Sequence, residues 1–363
     1  MTEKKQNRVV WLDIARSFAI IMVVLCHAAE SVCQMNIEMW DSLSIGYRLY
    51  RITGFTLGRL GVPFFLFLSG YLVLNKKIET EQDIKDFYRH KFVPLLLSVE
   101  IWNVFYFLFE IFFWNKDVNL IYFGKQLLFL QKSGLSHMWY MPMILGLYLA
   151  VPFLSMLVRK VSFKVAWIPM LAVVLNTVLL PSLTVFIRLF QPDFGGMSTI
   201  MDLGFLGTVY GVYLLLGFYL YRKPLMEKWN GILLAILSVV LLVFTIGVQY
   251  VSYQRGIGYN VWYNFIPLFM CAILLFELFR RMETVSWKDG FVKFCNFISQ
   301  ISLGIYFLHK PIQFMLMRLE FVQDMNRVGL SVSIFIVSLF ISCLICWLLS
   351  KGKVLRKYLL LMN

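Results

Sequence analysis

Charged side chains are scarce in this sequence. Asp, Glu, Lys and Arg make up 15% of the 363 residues and 60% are hydrophobic, whereas soluble domains carry roughly a quarter charged residues. Long polar stretches are also missing, because apolar runs of about 20 residues, the length that crosses a hydrocarbon core, recur along almost the whole chain. These absences exclude a large soluble domain. We predict an all-α fold, a polytopic transmembrane helical bundle.

Motifs for nucleotide binding and for common nucleophiles are absent as well. The sequence has no Walker loop, no GxGxxG fingerprint, no GxSxG elbow and no cysteine-based nucleophile motif. No internal repeat and no Gly/Ser-rich or Pro-rich linker divides the chain. We therefore expect one membrane domain over residues 1–363, without a fused soluble domain and without a tightly bound cofactor.

Cysteine and histidine are too few and too scattered to indicate a disulfide framework or a metal site. The six cysteines show neither a framework nor metal-ligand spacing. Cys271, Cys343 and Cys346 fall inside predicted spans as packing residues, while Cys26 and Cys33 lie near one membrane face and could pair. The four histidines have no HxxxH pairing and no clustered carboxylates, so we predict no metal.

The apolar runs predict ten transmembrane helices. Their ranges are 9–28, 57–75, 92–114, 137–158, 165–181, 203–221, 230–250, 261–280, 295–316 and 330–350. The side that holds both chain ends carries more than twice as many Lys and Arg as the other side. By the positive-inside rule both termini are cytoplasmic, and we expect a bacterial cytoplasmic membrane. The net charge of +14 reflects this bias, so we expect the lipid bilayer as a partner and no nucleic acid.

Two polar segments border the predicted spans. Lys4, Lys5 and Arg8 resemble the start of a signal peptide, but the following run is too long and lacks a small-residue cleavage site. We therefore expect it to stay as the first span. Residues 79–91 mix charges at helical spacing and predict an amphipathic helix along the cytoplasmic surface.

The first span, LDIARSFAIIMVVLCH, contains three ionisable groups at residues 13, 16 and 27. Arg16 and His27 are eleven residues apart, so they share one helix face and lie about 16 Å apart along the axis. Asp13 is one turn below Arg16 and can orient its guanidinium. Placing a charge in a membrane helix costs about 2.5–3.5 kcal/mol. That cost favours a functional role over a buried pair that only fixes packing.

Two further histidines lie toward the same outer side. His137 opens the fourth span, and His309 lies in the outer part of the ninth span with Tyr306 one turn below it. Together with His27 they suggest a shared polar chamber, and histidine is suited to proton transfer near neutral pH.

Other polar residues have two interpretations. In the second span, RLGVPFFLFLSGYLV, Ser69 and its glycine neighbours allow either close helix contact or the passage of an extended ligand. Arg89 and Lys91, beside the third span, either set topology or bind a phosphate-bearing ligand from the cytosol. Glu100 and Asn103 are predicted to be buried polar groups of that span.

These residues together resemble the acyltransferase 3 family of integral membrane acyltransferases. The similar stretches, in the family's order, are LDIARSFAIIMVVLCH, GVPFFLFLSGYLV, Arg89-x-Lys91 before Pro94, HMWYMPMILGLYLAVP and ISLGIYFLHKPI. The resemblance implies transfer of an acyl group, often acetyl, from cytoplasmic acyl-coenzyme A to a hydroxyl of an extracytoplasmic glycan or lipid-linked sugar. It also implies that His27 and Arg16 are essential. Pro63 stands where many members have an acidic residue, and Arg89-x-Lys91 is a thinner basic cluster than usual.

We hypothesise that His27 acts as general base on the acceptor hydroxyl, with a transient acyl-imidazole as the second possibility. A proton-coupled transporter or flippase for a sugar or lipid, or a pH sensor, is the alternative class of function. The acceptor, the acyl group and the oligomeric state stay open. The predicted site residues are His27 and Arg16 for catalysis; Arg16, Ser69, Arg89 and Lys91 for acyl-coenzyme A; His137, Trp139, Tyr306 and His309 for the acceptor; and Asp13 and Glu100 in support.

Overall fold

The computed structural model describes residues 9–116, 119–204, 207–222, 226–322 and 324–362. It is 77% helical, and the residues in these ranges form no strand. The predicted all-α bundle is confirmed. The α-helices are α1 Val10–Val32, α2 Ile45–Gly58, α3 Gly61–Leu74, α4 Glu81–Phe87, α5 Val93–Trp114, α6 Leu120–Leu127, α7 Tyr140–Lys160, α8 Phe163–Val174, α9 Leu180–Arg188, α10 Thr208–Arg222, α11 Gly231–Gln254, α12 Ile266–Arg281, α13 Asp289–Met317, α14 Arg327–Leu349 and α15 Lys353–Leu359.

Eight helical stretches of the described chain are long and apolar enough to cross a membrane. They are Val10–Val32, Ile45–Leu74, Glu81–Trp114, Ser136–Lys160, Phe163–Arg188, Gly231–Gln254, Asp289–Met317 and Arg327–Leu349. The remaining predicted spans, 203–221 and 261–280, correspond to α10 and α12, which have only 15 and 16 residues. The predicted number of ten is therefore approximate.

Two spans are longer than the apolar runs that predicted them. The second begins at α2, where Ser44 Oγ accepts a hydrogen bond from the Tyr47 amide at 3.3 Å and caps the helix. The sequence pattern missed α2 because Arg48 and Arg51 interrupt its apolar residues. The fifth span continues past Pro169 and through a π-helical turn into α9. Pro181 lies in the first turn of α9, where the missing amide hydrogen of proline is tolerated.

Both ends of the described chain lie at one end of the bundle. α1 and α13 run in parallel, because Ser17 Oγ donates to Cys295 O at 2.9 Å and His27 contacts His309 further along. α14 returns in the opposite direction, with Cys346 packed on Gly304 of α13. We call the end that holds the starts of α1 and α13 the inner end and the opposite one the outer end; the sequence bias predicts that the inner end is cytoplasmic.

Close contact between α3 and α10 depends on glycine. A Cβ added to Gly70 would collide with the carbonyl oxygen of Leu214, and one added to Gly217 would collide with that of Phe67. The close-contact interpretation of the second-span glycine is therefore the one that the structure supports. The backbones of the two helices approach one another directly at these points.

Gly70→Ala should lower the thermal stability of the purified protein. The added methyl group meets backbone, which cannot rotate away, and overpacking of this kind costs typically about 1–3 kcal/mol. Gly146→Ala, on α7, is the matched control, because a Cβ there has nothing within 4 Å. Thermal unfolding followed by tryptophan fluorescence compares the two, and equal melting temperatures for both variants would contradict the packing argument.

Several smaller expectations have outcomes here. All six cysteines are free, so Cys26 and Cys33 do not pair. Glu277, on α12, is fully buried and accepts hydrogen bonds from Arg280 and Arg281. The helix expected within 79–91 is α4, followed by a π-helical turn at Tyr88–Phe92 that leads into α5. Lys4, Lys5 and Arg8 lie outside the described residues.

Candidate active site

Three histidines from distant parts of the chain meet near the outer end. His27 lies on α1, His137 in the 3-10 turn that opens α7, and His309 on α13. The ring centroids are 5.4 Å apart for His27 and His309, 5.1 Å for His137 and His309, and 6.1 Å for His27 and His137. The three histidines, which the sequence predicts to lie at similar depth in the membrane, thus form one cluster. We call this cluster the histidine chamber.

Glu30 orients the His27 ring. Its Oε2 lies 3.1 Å from His27 Nδ1, at a spacing of three residues that places both side chains on one helix face. A carboxylate only accepts hydrogen bonds, so Nδ1 carries the hydrogen and Nε2 of the neutral ring keeps a free lone pair. Glu30 is not among the predicted site residues, although its spacing of three residues from His27 is visible in the sequence.

The other two histidine rings also have assigned tautomers. His309 Nδ1 donates to Ile305 O at 3.0 Å, so Nε2 is the acceptor, and it has no hydrogen-bond partner. Tyr106 donates its hydroxyl hydrogen to Phe307 O at 2.7 Å. Its oxygen therefore accepts from His137 Nε2 at 3.4 Å, which leaves His137 Nδ1 as a second acceptor without a partner. A buried, unsatisfied polar atom costs about 1–3 kcal/mol, so both nitrogens are suited to hydroxyl groups of a ligand.

Tyr306 supports the chamber from α13. Its hydroxyl donates to the His137 carbonyl at 2.6 Å, and its ring centroid lies 5.3 Å from that of His137. This contact fixes the backbone of the turn that carries His137. Tyr306 was predicted to contact the acceptor. The contact that the structure shows is with the backbone of His137, which Tyr306 positions.

A small cavity of about 20 Å³ adjoins the chamber. This is about the space of one water-sized group. The histidine and aromatic side chains in its lining are His27, Phe65, His137, Trp139, Tyr140, Tyr263 and Tyr306. The predicted residues Trp139 and Tyr306 are thus brought together with His27.

A second cavity, of about 250 Å³, contains Arg16 and lies toward the inner end. Ser69, which was predicted to bind the donor, lines this cavity, and so does Gln300 of α13. Because α1 is continuous from Val10 to Val32, the separation of about 16 Å between Arg16 and His27 along the axis is preserved. The two cavities share a wall, formed by Phe65, Tyr140 and Tyr306. We call this wall the aromatic septum.

Outside the histidine chamber, four other predicted residues line neither cavity. Arg89 and Lys91 are exposed in the π-helical turn at the inner end, one to two turns before Leu95, which does line the Arg16 cavity. Glu100 is only partly buried, against the prediction, and accepts a hydrogen bond from Asn103 at 3.3 Å. The first-span residue Asp13 is buried, with 8% of its surface exposed, and does not line either cavity.

Arg59 and Tyr263 are site residues that the sequence analysis missed. Arg59 is 5% exposed, and its Nη1 donates to the Tyr263 hydroxyl at 3.1 Å. Its guanidinium also lies 4.2 Å from the ring centroids of Phe55 and Trp262, contacts that stabilise a cation. Since the Tyr263 oxygen accepts from a cation, its own hydroxyl hydrogen is free to donate, and the residue lines the His27 cavity.

Among the residues that the structure describes, no group of three His, Cys, Asp or Glu side chains has the geometry to hold a metal ion. The side chains of the site supply an oriented base, buried hydrogen-bond acceptors and one polarised hydroxyl donor. Such a set removes a proton from a hydroxyl group and stabilises negative charge on a carbonyl oxygen.

A family model described as an acyltransferase domain, that of acyltransferase 3, matches residues 9–351. The comparison with curated proteins and the comparison with solved structures found no match. The matched range covers nearly the whole chain. It includes every residue of the histidine chamber and the whole lining of the Arg16 cavity except Leu360 and Leu361. The chain therefore belongs to the acyltransferase 3 family and is a membrane acyltransferase.

Proposed function

We propose that this enzyme transfers an acetyl group from cytoplasmic acetyl-coenzyme A to a hydroxyl group of a glycan on the outer side. The observation that carries the proposal is the arrangement of two cavities on one helix. The Arg16 cavity opens toward the inner end, the oriented base His27 lies toward the outer end, and only the aromatic septum separates them.

The Arg16 cavity suits the pantetheine arm of the donor. The arm is long and slim and carries two amides, and the cavity has a mostly apolar lining in which Arg16, Ser69 and Gln300 supply a few polar groups. A site of this composition orients an extended ligand through few hydrogen bonds. Arg89 and Lys91, exposed at the inner end, are placed to bind the phosphates in the cytosol.

The reaction begins at His27. Nε2 removes the proton of the acceptor hydroxyl while that oxygen attacks the thioester carbonyl carbon, and the Glu30 carboxylate stabilises the imidazolium that forms. The tetrahedral intermediate then collapses with cleavage of the carbon–sulfur bond. The proton on His27 passes to the departing thiolate, so the products are the ester and free coenzyme A.

Two other groups assist this step. Tyr263, polarised by Arg59, donates its hydroxyl hydrogen to the carbonyl oxygen as negative charge develops there. The unpartnered nitrogens of His137 and His309 accept hydrogen bonds from other hydroxyl groups of the acceptor. A polyhydroxylated acceptor would satisfy both nitrogens, which is the reason for favouring a glycan.

The volume at His27 favours acetyl over larger acyl groups. About 20 Å³ is available beside the imidazole, and Phe65 closes the cavity on the donor side. A methyl group fits such a space, whereas a succinyl or fatty acyl chain requires side chains to move. Each excess methylene in a rigid apolar pocket is worth about 1–3 kcal/mol of discrimination.

Phe65→Ala should therefore relax the acyl-group preference. For the wild-type enzyme we expect kcat/KM with acetyl-coenzyme A to exceed that with butyryl-coenzyme A by at least about 10-fold, and we expect the variant to narrow this ratio. Phe340→Ala is the control, because Phe340 is 67% exposed on α14 and does not line these cavities. A ratio unchanged in Phe65→Ala would show that another feature selects the acyl group.

The function itself is tested with purified protein in lipid nanodiscs, radiolabelled acetyl-coenzyme A and a panel of glycans. Thiol release that depends on the glycan, with label recovered in an ester, is the expected result. Movement of a sugar or lipid across sealed vesicles without thiol release would identify a transporter and overturn the proposal.

A further inference from the structure

A cavity of about 750 Å³ lies beside the histidine chamber, between α5, α7 and the segment that follows α6. Trp139 lines both this cavity and the small one at His27, so the two spaces meet at one side chain. We call the larger space the α5–α7 cleft. The mechanism above leaves it unused, and its position makes it a route by which a ligand reaches His27.

The interior of the cleft combines aromatic and uncharged polar side chains. Trp139 and Trp262 lie on one side, with ring centroids 5.6 Å apart. Gln126 and Asn103 are 4% and 5% exposed, and Gln126 Nε2 is a buried donor without a partner. Flat indole rings stack on the apolar faces of sugar rings, and buried amides pair with hydroxyl groups. Among the described residues that line the cleft, Lys132 is the only one with a charged side chain, so the interior suits an uncharged, hydroxyl-rich group.

One part of the rim of the cleft is apolar and faces outward. Phe129 and Leu130 line the cleft and are 40% and 74% exposed, and the next two residues of the rim, Gln131 and Lys132, are polar and exposed. The adjoining helix α6 exposes large apolar side chains in the same way, with Leu120 at 80%, Ile121 at 70% and Leu128 just after it at 69%. A helix that presents such residues at the end of a membrane bundle lies in the interfacial layer of the bilayer. The mouth of the cleft therefore opens into the outer leaflet.

Hydrogen bonds to a buried carboxylate on α5 hold the segment that forms this rim. Glu110, on α5, is fully buried. It accepts hydrogen bonds from the Gly134 amide at 2.9 Å, from the Tyr122 hydroxyl at 3.2 Å and from Lys116 Nζ at 3.2 Å. Three donors on a buried carboxylate anchor the rim over the cleft. These hydrogen bonds fix the position of the rim, so the opening of the cleft is a defined part of the fold.

We propose that the α5–α7 cleft is the acceptor site and that the acceptor is anchored in the membrane. An amphiphile with an uncharged sugar head enters sideways from the outer leaflet, and its hydrocarbon chain stays past Leu130 in the lipid. The head stacks on Trp139 and Trp262 and pairs with Gln126, and one of its hydroxyl groups reaches His27. The inference rests on the proposed function and specifies its acceptor.

The first test compares acceptors with the same head. Nanodisc-embedded enzyme receives radiolabelled acetyl-coenzyme A and matched pairs of methyl and dodecyl β-glycosides of glucose, galactose, mannose and N-acetylglucosamine. We expect kcat/KM at least about 10-fold higher for the dodecyl member of a productive pair, since the alkyl chain concentrates the head at the cleft mouth. Leu130→Ser should reduce that preference, whereas Leu120→Ser, equally exposed but outside the cleft lining, should not.

The second test does not depend on turnover. A dodecyl glucoside with a diazirine beside its sugar is photolysed with the enzyme in nanodiscs, and the labelled peptides are sequenced. Label within residues 126–142 or at Trp262 supports the cleft, and Trp262→Ala should reduce it. Label at the separate outer cavity that contains Glu30, Tyr47 and Lys310 would overturn the inference.

The two tests separate failure of the inference from failure of the proposed function. Equal transfer to methyl and dodecyl glycosides would overturn the membrane-anchored acceptor while supporting acetyl transfer. Label in the cleft with no transfer to any acceptor would support a site for sugar-headed lipids and contradict the acetyltransferase function.

Discussion

His27→Ala should lower acceptor-dependent release of coenzyme A by about 10²–10⁴-fold, the usual contribution of a general base. Nε2 of His27 is the one chamber nitrogen that a carboxylate holds in the basic tautomer, through Glu30, and alanine removes it altogether. The measurement is thiol release under saturating acetyl-coenzyme A, with ester formation followed by the radiolabel. Retention of wild-type transfer would exclude the proposed role.

Two further variants serve as controls for misfolding and for the loss of a histidine elsewhere in the chain. His27→Gln keeps a polar side chain of similar size, so loss of activity with an unchanged melting temperature excludes misfolding as the cause. His90→Ala is the matched control, because His90 is the fourth histidine and lies exposed in the π-helical turn at the inner end, where its Nδ1 contacts Asp86 O at 2.9 Å. We expect this variant to keep wild-type transfer.

Tyr263→Phe should lower kcat by about 10²–10³-fold, as loss of one oxyanion donor does in other enzymes, with the KM for acetyl-coenzyme A little changed. The phenyl ring preserves the packing against Trp139 and Trp262, whose centroids lie 5.6 Å and 4.9 Å away, so only the hydroxyl is lost. The measurement is the steady-state kinetics of acetyl transfer. A raised KM at constant kcat would assign Tyr263 to binding instead.

The role of Arg59 is separable by a double-mutant cycle. If Arg59 acts by polarising Tyr263, adding Arg59→Lys to Tyr263→Phe should lower kcat much less than Arg59→Lys does alone. Tyr259→Phe serves as the matched control, since Tyr259 belongs to the same segment and packs on Phe265 without lining the His27 cavity. Additive losses of kcat from the two substitutions would contradict coupling through the hydroxyl.

The part of the site that the sequence predicted is the part that follows from helical periodicity. Arg16 and His27 share a face of one unbroken helix, so their spacing survives folding. The sequence also predicted that His137 and His309 lie near His27, because all three have a similar depth in the bilayer. The depth of a residue can be estimated from its distance to the end of its span. Glu30 could have been found in the same way, because it is three residues from His27.

The rest of the site depends on contacts that no local pattern encodes. Arg59 contacts Tyr263, which is 204 positions away in the chain. Because Arg59 lies near the boundary of a predicted span, the sequence pattern does not distinguish it from a loop residue. That Arg89 and Lys91 bind the donor stays a prediction: the π-helical turn leaves them exposed at the inner end, outside the Arg16 cavity. Helix packing, which decides where Arg59, Arg89 and Lys91 lie relative to the cavities, is not periodic in sequence.

The aromatic septum of Phe65, Tyr140 and Tyr306 has a consequence for the energetics of the host membrane. Moving an elementary charge down a potential of 100 mV releases about 2.3 kcal/mol, so a continuous wet pore from Arg16 to His27 would dissipate the ion gradient. In the proposed reaction, the wall of aromatic rings between a cavity of about 250 Å³ and one of about 20 Å³ is crossed by an uncharged acetyl carbonyl and, in the other direction, by the one proton that His27 passes to the thiolate. Hydrated ions stay on their own sides.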